Sequence, residues 1–259
     1  MAPASSLTRR ELTTTGISEV WTTANAMSSK PPTTRAATTR GGYHQQMADL
    51  IPVPSPGVPL YYGAPGDPLV VVIHDWHGRL PWLEAYAHAL VHAGFRVAVP
   101  DFYGGWCSTS EAQAEVLLSE LEVGPSLAII DEVIRTSRAE GSTKVGVVGS
   151  SMGGWLALLH AQGGDVDAVV AYYATLDAAE HGVIPNPVLL HFAETDEWGE
   201  GGDPASFIAR LTEHGTPVTE HSYLGTVHGF ANASIAKVDA RASALAFART
   251  ASFLQDHLG

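Results

Sequence analysis

Between Val145 and Leu159 the chain passes from an apolar run, Val145-Gly146-Val147-Val148, through Gly149-Ser150-Ser151-Met152-Gly153-Gly154, into the helix-forming stretch Trp155-Leu156-Ala157-Leu158-Leu159. A buried strand, a sharp turn of small residues and an immediate helix require a parallel sheet with a helix folded back on it. Gly149 and Gly153 fit such a turn, since a side chain at either place would collide with the turn or the adjoining strand. Ser151 at its tip is placed as a serine nucleophile is mounted, on a strained strand-to-helix turn with Oγ exposed above the sheet edge. The helix starting at Met152 would aim its free N–H groups and positive dipole end at the same point, favouring a developing oxyanion. Ser150 is the weaker alternative, because its side chain should point away from a substrate.

A serine needs a base, and the base needs an orienting acid, in the chain order Ser, Asp or Glu, His. Asp196 follows the apolar run Val188-Leu189-Leu190-His191-Phe192-Ala193, just past a strand end. His228 sits in Gly225-Thr226-Val227-His228-Gly229-Phe230, after the run Val218 to Leu224. Ser151 to Asp196 spans 45 residues and Asp196 to His228 spans 32, each enough for a further strand and helix. All three therefore belong on one rim of a parallel sheet. Glu194 competes with Asp196 as the acid, from a position closer to the strand.

From Met47 onward the pattern alternates. Leu69 to His74 is a near-continuous apolar run, Trp82 to Ala93 has helical spacing, and Phe95 to Pro100 reads as the next strand. Glu111 to Arg138 reads as a long helical segment broken near Gly124-Pro125. Val166 to Ala174 is another buried strand, Pro204 to His214 a helix with proline in its first turn, and Val238 to Leu258 a closing amphipathic helix. Strands alternating with helices give an α/β fold, a mostly parallel sheet with helices on both faces.

Residues 1–46 differ in kind. They are rich in Thr, Ser and Ala and show no sustained apolar period, so they are expected to be a disordered N-terminal extension, with the catalytic domain in residues 47–259. Their Arg- and Ser/Thr-rich character leaves two readings, an organelle transit peptide or an unstructured extension. Of the net charge of −13, residues 1–46 contribute +3 from five basic and two acidic side chains, so residues 47–259 carry −16. Such a body argues against nucleic acid and anionic membrane surfaces as partners. No apolar run is long enough to span a membrane. The single cysteine, Cys107, excludes an internal disulfide and fits a reducing, cytoplasmic location. The expected partner is a small molecule, acted on by a monomer.

Five segments together resemble the dienelactone hydrolase family of α/β-hydrolases over residues 50 to 258. They are Val72-Ile73-His74-Asp75-Trp76-His77-Gly78, Val99-Pro100-Asp101-Phe102-Tyr103, the Ser151 turn, Glu194-Thr195-Asp196 and His228-Gly229-Phe230. Members usually carry a cysteine nucleophile, where this chain has Ser151. A serine relies wholly on its His–Asp pair for activation, so the resemblance implies a serine esterase cycle through an acyl-enzyme. It also implies an oxyanion hole from the backbone N–H groups of Met152 and Trp76. The family's glutamate beside the resting nucleophile is replaced by Asp75, one methylene shorter, whose contact would be lost or bridged by water. Two arginines that bind the substrate carboxylate are replaced by Gly105 and Asn232. Losing both charge-assisted partners in an acidic body should remove most affinity for an anionic lactone. Arg79 could replace one of them, although a surface role suits it better.

The expected substrate is therefore a neutral or weakly polar ester or lactone, with Asp75, Tyr103, Trp198 and Phe230 as candidate substrate contacts and Trp76, Trp82 and Trp106 as further aromatic candidates. No cofactor is implied, since no phosphate-cradling loop follows the first strand. His74-x-x-His77 with Asp75 could suggest a metal, but two ligands without a third make a poor zinc site. Activity should rise with pH as His228 loses its proton. The alternative from another class is a small-molecule-binding α/β-hydrolase-fold protein with little or no turnover. An amidase remains a variant of the enzyme reading.

Overall fold

A computed structural model of the chain describes residues 50–197 and 202–259. The N-terminal extension, its expected boundary at residue 47 and Trp198 lie outside the described residues.

Nine strands are present among the described residues. They are β1 (Ile51–Pro52), β2 (Leu60–Tyr62), β3 (Leu69–Ile73), β4 (Arg96–Val99), β5 (Trp106–Cys107), β6 (Val145–Ser150), β7 (Ala168–Tyr172), β8 (Val188–Thr195) and β9 (Val218–Val227). Every residue of β3, β4, β6 and β7 is buried. Apolar runs without alternation are what a strand covered on both faces demands. These four form the middle of a seven-stranded sheet in the order β2-β4-β3-β6-β7-β8-β9. All its neighbours run parallel except the edge pair β2–β4. β1 and β5 make a separate antiparallel pair.

The helices are α1 (Trp82–His92), α2 (Glu111–Ser119), α3 (Val123–Ala139), α4 (Met152–Ala161), α5 (Pro204–Glu213) and α6 (Ala240–Leu258). One core joins Val70, Val72, Val97, Val148 and Val170 of the sheet to Leu83 and Leu90 of α1 and to Leu254 and Leu258 of α6. That packing is close: a Cβ on Gly146 would lie 2.9 Å from both Leu254 and Leu258. The intervening strand residues face the other way, where α3 packs on β3 and on α4. Among the described residues no helix is long and apolar enough to cross a membrane.

Two details depart from the expected pattern. The break in the long helical segment falls at residues 120–122, before Gly124-Pro125. Pro125 is the third residue of α3, within the first turn, where a missing N–H leaves no intrahelical bond unmade. β9 also continues through Val227, so His228 leaves the strand directly, with no preceding loop. The reason lies in the pairing of β8 with β9, which shifts register between Ala193 and Thr195 and then resumes at Thr195–Val227.

Candidate active site

The turn after β6 holds Ser151 at φ 54° and ψ −121°, a conformation that L-residues other than glycine rarely adopt. Close approach enforces it. A Cβ on Gly149 would stand 2.0 Å from the Gly153 carbonyl oxygen, and one on Gly153 would stand 2.4 Å from that of His74. The Ser151 amide donates to the Tyr172 carbonyl at 2.9 Å, which ties the turn to the tip of β7. Ser150 stays in strand register opposite Tyr172.

Ser151 Oγ lies 2.7 Å from His228 Nε2. His228 Nδ1 lies 2.8 Å and 2.9 Å from the two carboxylate oxygens of Asp196. The tautomer that satisfies both contacts carries its proton on Nδ1, donates it to Asp196, and accepts the serine hydroxyl at Nε2. The strand ends set this arrangement. The His228 amide donates to the Thr195 carbonyl at 3.2 Å, and the register shift between β8 and β9 re-aims the residues beyond it. Glu194 turns elsewhere and accepts the Gly225 amide at 2.6 Å. Asp196 is thus the carboxylate that meets the histidine.

The loop after β3 forms the facing wall. Asp75 Oδ1 accepts the His77 amide at 3.0 Å, and Oδ2 accepts from the Asn232 side-chain amide at 2.8 Å. Both Asp75 and Asn232 are buried. Asp75 therefore lines the pocket with its two oxygens held by these donors, and its bonds do not run to Ser151. The neighbouring Gly78 amide donates to the Asp75 carbonyl at 3.1 Å. These contacts fix the backbone on either side of Trp76, whose N–H is the expected oxyanion donor alongside that of Met152 at the start of α4.

Histidines 74 and 77 support the wall in a different way from a metal pair. His74 Nδ1 donates to the Asp75 carbonyl at 2.7 Å, its Nε2 accepts the Phe102 amide at 3.3 Å, and His77 Nδ1 donates to the Ser108 carbonyl at 2.8 Å. Burial holds His74 below the ordinary imidazole range, so its ring is neutral. Among the described residues no three His, Cys, Asp or Glu side chains converge as a metal set.

Asp75, Trp76, His77, Ser151, Tyr173, His228, Gly229, Ile235 and Lys237 line an open pocket. Several expected substrate contacts lie elsewhere. Phe230 is fully buried against Tyr223 and Tyr173, at ring separations of 5.0 and 5.5 Å, and belongs to the core. Tyr103 lies behind the site and donates its hydroxyl to Met152 Sδ at 3.2 Å, bracing the first turn of α4. Trp82 and Trp106 do not line the pocket either. Arg79 is neither a surface residue nor a pocket cation. Its guanidinium is buried and donates to the carbonyls of Pro54, Ser55, Val58 and Val99. Cys107 is buried as well, and burial pushes its thiol up to about 11, so it is inert as a thiolate at neutral pH.

Tyr173, Ile235 and Lys237 were not expected. Tyr173 carried a usable signal, since it follows the apolar run of β7 at the same sheet rim as Ser151. Its φ of 39° turns the ring against His228, with centroids 4.8 Å apart. Ile235 and Lys237 come from an irregular loop whose path no periodicity encodes.

Comparison with known proteins agrees with this architecture. The sequence model of the dienelactone hydrolase family matches residues 60–258. A carboxymethylenebutenolidase of Pseudomonas putida is 28% identical over 204 residues, 72% of this chain and 85% of that protein. A carboxymethylenebutenolidase candidate of Azospirillum brasilense is 38% identical over 112 residues, which is 42% of this chain and spans about half, 48%, of that protein. The crystal structure of a dienelactone hydrolase candidate from Klebsiella pneumoniae superposes with a TM-score of 0.63 at 17% identity, covering 80% of this chain and 99% of that one. With the strand order, the turn at Ser151 and a family match across nearly the whole sheet, the chain belongs to the dienelactone hydrolase family.

Proposed function

We propose that this hydrolase cleaves a small carboxylic ester or lactone with Ser151 as nucleophile, His228 as general base and acid, and Asp196 as the group that orients the imidazole. The observation that carries the reading is the unbroken relay from Ser151 Oγ through both nitrogens of His228 to the Asp196 carboxylate, at 2.7 and 2.8 Å. His228 Nε2 takes the hydroxyl proton as Oγ attacks the carbonyl carbon. The tetrahedral oxygen is stabilised by the N–H groups of Met152 and Trp76, each worth about 3–4 kcal/mol of barrier in comparable sites. His228 then gives the proton to the leaving oxygen as the ester bond breaks and the acyl-enzyme forms. Water attacks that acyl group with His228 again as base, releasing the acid and restoring Ser151. In a lactone the alcohol stays tethered to the acyl group, so one hydroxy acid leaves at the end.

The pocket favours a neutral substrate. Gly105 has no side chain to offer, the Asn232 amide is committed to Asp75, and the Arg79 guanidinium is committed to backbone carbonyls. The buried Asp75 carboxylate adds negative charge to the wall.

The test is labelling with a fluorophosphonate probe, read by intact-protein mass spectrometry, with hydrolysis of 4-nitrophenyl acetate in parallel. Wild type should gain one adduct and turn over the ester. Ser151→Ala should lose the adduct and drop kcat by at least about a thousandfold. A folded wild type that takes no label, or a Ser151→Ala protein with unchanged turnover, would refute the reading and favour a binding protein.

A further inference from the structure

Lys237 is the one lysine or arginine that lines the pocket among the described residues. Its stem passes over the residue that follows the histidine: a Cβ on Gly229 would lie 4.0 Å from Lys237 Cδ. The ammonium does not face the pocket alone. Lys237 Nζ lies 2.6 Å from Oε1 of Glu111, the first residue of α2. The pair ties the loop after His228 to the start of α2, and Lys237 is its member in the pocket wall. Both side chains are partly exposed, at 42% and 58%, so the pair is open to competition by solvent ions and by a charged ligand.

We infer that the Lys237–Glu111 ion pair is a charge filter that sets the preference of this pocket between neutral and anionic acyl groups. The inference rests on the ester-hydrolase reading of Ser151 and deepens it. A substrate carboxylate entering the pocket finds Arg79 and Asn232 already engaged, and must displace Glu111 to reach Lys237. A neutral acyl group displaces nothing. Glu111 thereby neutralises the cation that would attract an acid, and its removal leaves that cation available.

The experiment compares kcat/KM for two 4-nitrophenyl esters of equal length, mono-4-nitrophenyl glutarate and its methyl ester, near pH 7.5 at low ionic strength. The readout is the anionic-to-neutral ratio, in which general damage to the enzyme cancels. Glu111→Gln should raise this ratio by up to about fivefold, the range of one exposed ion pair. The gain should shrink in about 0.5 M salt. Glu111→Gln combined with Lys237→Met should give the same ratio as Lys237→Met alone, which is the coupling a double-mutant cycle isolates. A ratio unmoved or lowered by Glu111→Gln overturns the filter. So does a double variant that keeps the whole gain, since Glu111 would then act through its own charge and not through Lys237. A wild type that cleaves neither ester overturns the filter together with the hydrolase reading, whereas one that cleaves the neutral ester indifferently to Glu111 overturns the filter alone.

Discussion

Ser151 and Tyr173 stand at adjacent strand tips, and both hold positive φ angles without being glycine. Such a state costs on the order of 1–3 kcal/mol per residue and persists only where the surroundings enforce it. At Ser151 the enforcement is the turn itself. At Tyr173 the result is a ring laid against His228, which limits the tilt of the imidazole between Ser151 and Asp196. Under the proposed mechanism Tyr173 is a positioning residue. Tyr173→Phe should keep kcat within about threefold, because the ring face makes the contact. Tyr173→Ala should lower kcat by about tenfold or more with a smaller change in KM, as expected when a base is mis-set by about an ångström. Steady-state kinetics on a neutral ester checks this, and equal losses in the two variants would refute it. The convergence of Ser151, His228 and Asp196 was legible in the sequence because each follows an apolar run that must be a strand. The aromatic contacts were not. Tyr103 and Phe230 lie in motif-bearing segments, yet nothing in a sequence says which side of a loop a ring takes, and both turned inward.

At the scale of elements, α4, the helix after the Ser151 turn, packs closely against β3. Gly153 lies on that contact, where a Cβ would come within 2.4 and 2.6 Å of the His74 and Ile73 carbonyl oxygens. Backbone atoms cannot rotate away as a side chain would. Gly153→Ala should therefore destabilise the fold by about 1–3 kcal/mol or more. Gly124→Ala is the control, since a Cβ there meets nothing within 4 Å and a helix gains from alanine. Urea unfolding of both variants tests this, and a Gly153→Ala protein as stable as wild type would contradict the packing. Strand identities were readable from burial on both faces. The break between α2 and α3 falls a few residues before Pro125 because proline forbids only the interior of a helix, and the residues near Pro125 begin one.

Across the whole molecule, a buried polar chain links the sheet to the outer helices. Tyr223 Oη and Thr250 Oγ1 lie 2.8 and 3.0 Å from the two ring nitrogens of His191, and Thr250 continues to Tyr172 Oη at 2.7 Å and on to Tyr86 at 3.2 Å. Burial, with smaller help from His221 and Arg249, pushes His191 down to about 3. His74 is also lowered by burial. In the unfolded chain a histidine binds its proton near pH 6.5. Between that value and about 3, the unfolded state binds more protons than the folded one. Stability present above about pH 6.5 must then decline as the pH falls, by up to about 1.4 kcal/mol per pH unit for each such group. His191→Gln should be less stable than wild type at pH 7.5, through lost bonds, yet show a shallower decline toward pH 4.5 in urea midpoints. Parallel curves would contradict the assignment. None of this was visible beforehand, since His191 sits inside an apolar run that reads as strand whatever its partners.

The notch above Gly146 carries one more consequence. It is filled by Leu254 and Leu258, residues made roughly a hundred positions after the strand they cover. Contacts of such long sequence separation form late, once the loop between them has been closed. The order of synthesis and the order of closure therefore run in the same direction here. The strand that delivers Ser151 is made before α6, and its α6-facing side stays open until the segment around residue 258 has arrived.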